Sequence, residues 1–251
     1  MIEFQNVTLA YNSLRVLDDI SFNVRFHERI AILGGSGGGK STIIRLMLGL
    51  LRPDSGKILI DGQDITVLSE SALREYRMKF SIVFQEGALF DSMNVRENVA
   101  FCMREYLNLS EEEIENRVRE LLKMLGIENA IELMPEELSG GMQRRVAIAR
   151  SLAECSPKMM LYDEATTGLD PLTADNICNL IKDLSTGELP DRVGFVLVTH
   201  KVTDAVKVAE RYMYLKGGII DFDGDLEALR NTDDPELRTF ISELFTAEGK
   251  T

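Results

Sequence analysis

The run Gly34-Gly35-Ser36-Gly37-Gly38-Gly39-Lys40-Ser41 constrains this chain more than any other stretch, because it fits the phosphate-loop pattern G-x-x-x-x-G-K-[ST]. The apolar run Ile30-Ala31-Ile32-Leu33 precedes it and reads as a buried strand; Thr42 to Leu48 follows and reads as a helix. In that strand–loop–helix context, glycines let backbone N–H groups turn inward onto an anion, and the helix N-terminus adds partial positive charge. The residues from Gly34 through Thr42 are therefore expected to hold nucleotide phosphates. Lys40 is expected to reach the outer phosphates, and Ser41 to place its hydroxyl on Mg²⁺.

Three further runs, Phe80–Phe84, Met159–Tyr162 and Val193–Val198, are short and nearly continuous in apolar residues, like Ile30–Leu33. Such runs suit strands covered on both faces of a parallel sheet. They stop at Gln85, at Asp163-Glu164 and at Thr199-His200. Ligands of open α/β sheets bind beyond the carboxyl ends of the strands, so these groups converge on one site. Asp163 is expected to orient Mg²⁺ and its waters, and Glu164 to act as general base on an attacking water.

Elsewhere the pattern changes. Ile20, Phe22, Val24 and Phe26 alternate with polar residues, as a half-buried antiparallel strand does, and Ile2–Phe4 and Lys57–Gly62 read similarly. From Glu86 to about Leu138 the period is helical; Ser110 with Glu113 forms a capping-box signal, and Ile114, Val118, Leu121, Leu122 and Leu125 share one face. Tyr212–Leu215 and Ile219–Phe222 flank Gly217-Gly218 as a hairpin. Asp234-Pro235 opens a last helical stripe of Leu237, Phe240, Ile241, Leu244 and Phe245, which docks either on its own domain or on a partner. The expected fold is α/β: a P-loop NTPase with a mostly parallel core sheet, an N-terminal antiparallel β-subdomain and a helical subdomain inserted at about 86–155. The main domain is expected over 1–225 and a helical extension over 226–251.

At 251 residues and a formal charge of −13, the chain lacks the basic footprint of non-specific nucleic-acid binding. Cys102, Cys155 and Cys178 are odd in number and widely spaced, as free thiols would be. No secretory signal opens the sequence, and no apolar run approaches the roughly 20 residues of a membrane span.

Leu138-Ser139-Gly140-Gly141-Met142-Gln143-Arg144-Arg145 opens another helix. Ser139 and the bare N–H groups behind Gly140 and Gly141 make a second anion device. One nucleotide needs the first device and only a cap, so a head-to-tail pair of chains is expected, each capping the other's nucleotide.

With these elements in place the chain resembles the nucleotide-binding subunits of ABC transporters, whose signature is Leu-Ser-Gly-Gly. The resemblance covers about residues 1–225. It implies ATP as the nucleotide, Tyr11 stacked on adenine, Gln85 touching Mg²⁺ and sensing the membrane subunit, and His200 on the γ-phosphate. It also implies that Gly168-Leu169-Asp170 crosses the dimer interface, with Asp170 near the nucleotide. The family usually has proline after Asp-Glu; Ala165 stands there instead, with an expected loss of rigidity and not of chemistry.

Phe84-Gln85-Glu86-Gly87-Ala88-Leu89-Phe90 and Glu132–Leu138 further resemble the Mla/Mce-type phospholipid-transport ATPases. That resemblance implies a MlaE-like membrane permease, bound through a coupling helix in a groove lined by residues 85 to about 106. It also implies an MCE-domain protein in the complex, a small STAS-like subunit, and a place on the cytoplasmic face of the inner membrane. The competing expectations are the ATPase of another ABC transporter, for solute import or lipoprotein release, and a non-transport ABC protein acting on nucleic acid or ribosome.

Overall fold

The computed structural model describes residues 1–85, 87–153, 157–186, 193–242 and 244. Cys155 and Phe245 lie outside these residues. Two sheets and a group of helices build the molecule.

The first sheet has strands β1 (Ile2–Tyr11), β2 (Leu14–Val24), β4 (Ser55–Ile60) and β5 (Gln63–Asp64), in the order β2-β1-β4-β5 and antiparallel throughout. The alternation read at Ile20, Phe22 and Val24 is its inward face: all three are buried. The second sheet contains β3 (Arg29–Leu33), β6 (Phe80–Val83), β7 (Met159–Asp163), β8 (Gly194–Thr199), β9 (Arg211–Lys216) and β10 (Ile219–Gly224), in the order β10-β9-β3-β8-β7-β6. All its neighbours are parallel except the β9–β10 hairpin. Every residue of β8 is buried, as its unbroken apolar sequence requires.

Helix α1 (Lys40–Met47) follows the glycine-rich loop and packs between the two sheets with Ile43, Ile44, Leu46 and Met47 buried. Helix α2 (Glu70–Arg77) is short and polar, with only Leu73 buried. The helical region holds α3 (Val95–Tyr106), α4 (Glu111–Met124) and α5 (Gly140–Ala153). Ser110 and Glu113 form the reciprocal cap of α4, and the face of Ile114, Val118, Leu121 and Leu122 is buried. The helical reading from Glu86 starts too early. Gly87 (φ 73°) and Ala88 (φ 48°) are left-handed, which no helix tolerates, so α3 begins only after its Asn94 cap.

Helices α6 (Pro171–Thr186) and α7 (Val202–Val208) follow β7 and β8, and α8 (Leu226–Arg230) and α9 (Pro235–Phe240) end the described chain. Asp234 caps α9 through the backbone N–H groups of Glu236 and Leu237. Leu237, Ile241 and Leu244 are buried in the core beside the second sheet, and the Phe240 ring lies 5.0 Å from that of Tyr214. Among the described residues the stripe thus packs at home. Among the described residues, Cys102 and Cys178 form no disulfide. No helix among the described residues is long and apolar enough to cross a membrane.

Candidate functional site

Strand register brings the predicted groups level. Leu33 of β3 pairs with Thr199 of β8, Asp163 of β7 with Val198, and Val83 of β6 with Tyr162. The next residues along each chain are Gly34, His200, Glu164 and, one beyond Phe84, Gln85. A cavity of about 520 Å³ opens there, lined among others by Tyr11, Ser36, Lys40, Gln85, Glu164 and His200.

The loop is shaped by its glycines. A Cβ on Gly34 would lie 2.5 Å from the carbonyl oxygen of Leu215, so only glycine lets β9 close against the loop. Gly39 (φ 97°) stands at the N-cap of α1 with no side-chain cap, which leaves the helix N–H groups for an anion. Lys40 is 5% exposed, and its Nζ donates to the carbonyls of Gly34 (3.0 Å) and Gly35 (2.9 Å). It also lies 3.5 Å from Glu164 Oε1.

Ser41 Oγ donates to Asp163 Oδ1 at 2.7 Å. Burial pushes the Asp163 carboxyl up, the bond from Ser41 draws it down, and the neighbouring Glu164 charge raises it further; the net direction is up. A hydroxyl, one carboxylate and the nearby Gln85 amide form a sparse oxygen set. That suits Mg²⁺, which keeps several waters and binds largely through substrate phosphates, better than a metal caged by protein alone. No group of three or more His, Cys, Asp or Glu that could cage a metal occurs among the described residues.

Glu164 sits just past β7 at φ 52°, unusual for a residue with a side chain. Its Oε2 takes hydrogen bonds from Thr167 Oγ1 (2.9 Å) and pairs with His200 Nδ1 (2.9 Å). Burial alone would raise this carboxyl; the bonds from His200 and Thr167, with the charges of His200 and Lys40, outweigh it and hold it below the ordinary range. Thr167, Leu14 and Val16 are not among the residues the sequence points to, whereas Thr199 is read there as the end of the apolar run before His200. The two threonines flank Glu164, while Leu14 and Val16 line the cavity near Tyr11. For Thr167 the sequence signal is a small hydroxyl three positions after a strand-end carboxylate; Thr199 reaches Glu164 from the neighbouring strand.

The second anion device stands apart. Ser139 Oγ accepts the Met142 N–H at 3.3 Å and caps α5, while Ser139 and Gly140 are exposed. A Cβ on Gly141 would come within 2.5 Å of Thr173 Cγ2, so this glycine lets α5 approach α6. Asp170 caps α6, accepting from Leu172 N (3.1 Å) and Thr173 N (3.0 Å). None of Ser139, Gly140, Gly141 and Asp170 lines the cavity that holds Lys40. Arg144, 5% exposed on α5, donates to the carbonyls of Phe84 and Gln85 and so fixes the Gln85 backbone.

The model of the ABC transporter family matches residues 17–167. The intermembrane phospholipid transport system ATP-binding protein MlaF of Escherichia coli K12 is 36% identical over 241 residues, 96% of this chain and 88% of the relative. The methionine import ATP-binding protein MetN of Geobacillus kaustophilus is 37% identical over 255 residues, 99% of this chain and 72% of the relative. The dimeric, post-hydrolysis structure of the ATP-binding cassette MJ0796 bound to ADP and Pi superposes with a TM-score of 0.81 at 34% identity, covering 90% of this chain and 99% of that one. The chain therefore belongs to the ABC transporter family, as a Mg²⁺-dependent ABC-type ATPase subunit.

Proposed function

We propose that this chain powers lipid or phospholipid transport across a bacterial cell envelope, as a Mla/Mce-type ATPase. The observation that carries this reading is the segment Gly87-Ala88-Leu89-Phe90. Its two left-handed residues turn the chain out of β6, and Phe90 packs on Phe101 with ring centroids 4.7 Å apart. Beside it a groove of about 580 Å³ runs between α2 and α3, lined by Leu50, Arg74, Met78, Phe84 and Tyr106. Leu50, Met78 and Tyr106 are exposed there, and an apolar floor rimmed by charge suits an amphipathic helix. A permease coupling helix is the occupant this reading assigns, with an MCE-domain protein and a small STAS-like subunit in the complex. The chain would sit on the cytoplasmic face of the inner membrane.

The chemistry follows from the network around Glu164. The Glu164 carboxylate is engaged by Lys40, Thr167 and His200. A γ-phosphate at the loop draws Lys40 and His200 onto itself, which frees Glu164 oxygens for a water and removes the groups that depress its basicity. Ser41, Asp163 and Gln85 would hold Mg²⁺, which would supply charge compensation on the phosphate oxygens. Tyr11, exposed at the cavity mouth, stacks on adenine. Ser139, Gly140 and Gly141 of a second copy cap the same nucleotide in a head-to-tail dimer, with Asp170 at the interface.

A solute-import role, as named for MetN, rests on equal identity, so the membrane partner decides. Purification from native membranes in mild detergent, with mass spectrometry of co-eluting proteins, is expected to recover a permease with an MCE-domain protein. Recovery of a permease without any MCE-domain protein would overturn the lipid reading and leave the ATPase in place.

A further inference from the structure

Asp204 on α7 is 6% exposed, and nothing in the chemistry above uses it. A carboxylate withdrawn from water is costly unless it is hydrogen-bonded. Its Oδ2 accepts the hydroxyl of Thr166, itself 4% exposed, at 2.6 Å, in the range of strong charge-assisted bonds. The carbonyl of the same threonine accepts Lys201 Nζ at 3.3 Å. The hydroxyl and the carbonyl of Thr166 are thus both tied to the start of α7. The nearby Lys207 is engaged elsewhere, with Asp175 at 2.6 Å.

The placement closes a ring. Thr166 lies two residues after Glu164, and Asp204 four after His200. At one side of the ring Glu164 Oε2 meets His200 Nδ1 at 2.9 Å, and the Glu164 N–H donates to Val198 O at 2.9 Å. At the other side stands the Thr166–Asp204 bond. Between them Glu164 holds φ 52°, a conformation that persists only when its surroundings over-determine it. We infer that Asp204 is a positioning residue: through Thr166 it anchors the turn bearing Glu164 to the turn bearing His200. It fixes the geometry between the water-activating carboxylate and the imidazole. This rests on the reading of Glu164 and His200 given above.

The test is steady-state ATPase of the full chain with its membrane partners, with sites counted by binding of a fluorescent ATP analogue. Asp204→Ala is expected to lower kcat by about tenfold to a hundredfold, as small displacements of reacting groups do, with KM changed by less than about twofold. Asp204→Asn, which keeps an acceptor oxygen, loses less, and Thr166→Ser, which keeps the hydroxyl, stays near the parent. In a Glu164→Gln background Asp204→Ala adds no further loss, because the two act as one unit. A kcat per binding site within about twofold of the parent in Asp204→Ala overturns the proposal. So does a loss in both Asp204 variants that merely tracks the fraction of folded protein in a thermal melt. An active Glu164→Gln would instead bring down the reading of the base, and the positioning role with it; a silent Asp204→Ala beside an inactive Glu164→Gln removes only the positioning role.

Discussion

At the phosphate loop, Lys40 has two carbonyls and a carboxylate within reach, Ser41 has Asp163, and Glu164 has His200 and Thr167. At the start of α5, by contrast, Ser139 and Gly140 face solvent, and beside them Leu172 is 72% exposed at the head of α6. The first region holds its polar groups in place through its own hydrogen bonds. The second presents an anion device and an apolar side chain to solvent. Substituting the two regions should therefore fail in different ways: the first within a monomer, the second only between copies.

The largest effect belongs to Glu164→Gln. It removes the proposed base while keeping the size of the side chain, so turnover should fall by about a hundredfold or more with nucleotide affinity retained. Rapid-mixing phosphate release checks the first part and equilibrium nucleotide titration the second. A variant with half the parent activity would show that the carboxylate in this network serves structure alone.

Ser139→Arg tests the other side. A bulky cation at the mouth of α5 leaves the loop of its own chain untouched, so ATP binding to the monomer should persist while ATP-driven dimerisation and turnover are lost. Sedimentation velocity with and without ATP, in the Glu164→Gln background to prevent hydrolysis, reads this directly. Dimers formed in spite of the arginine would mean that the exposed device does not face a second copy.

Lys40→Ala sharpens the contrast from within the monomer. It removes a buried cation that carbonyls and Glu164 hold, and with it the proposed partner of the phosphates. ATP affinity should fall by about tenfold or more, as truncating one partner of a buried charge pair does. Isothermal titration that finds the parent affinity would show that the phosphates bind through the backbone N–H groups alone.

The same contrast explains what could be read from sequence. The loop, the Asp163-Glu164 strand and the Ser139 cap are local: residue type and spacing within a few positions point to each, and the register of parallel strands brings the first two together. The roles of Thr166, Arg144 and Asp204 are not local. Each depends on a partner tens of residues away, and a threonine in a turn, or an arginine or aspartate on a helix, looks like solvated surface until the packing is known. Helix α2 escaped notice for a related reason: with only Leu73 buried it offers no apolar stripe, and its ends rest on the Ser69 cap and on Arg77 bonded to the Leu48 carbonyl at 2.9 Å. At Gly87-Ala88 the helical period was misread because composition does not reveal a positive φ at alanine.

The smallest effect lies far from both regions and asks whether the frame that separates them depends on charge. Asp61, at the turn after β4, accepts Lys79 Nζ at 2.8 Å and the Met1 ammonium at 2.9 Å. Burial would raise its carboxyl, but these two cations outweigh burial and hold it at about 2. A carboxyl lowered in the folded state stabilises above its unfolded pKa, and that stability drains away as pH falls toward the folded value. Asp61→Asn keeps a residue that tolerates the left-handed φ of 51° and removes only the charge. The site is 39% exposed, so solvent screening reduces the effect to about 1 kcal/mol, or about 2–4 °C in Tm for a chain of this size. Thermal melts should show that gap at neutral pH, narrowing below about pH 4 and in high salt. A gap that stays constant across pH would assign it to backbone geometry at the turn, and the ion pairs would then contribute nothing to holding the first sheet in place.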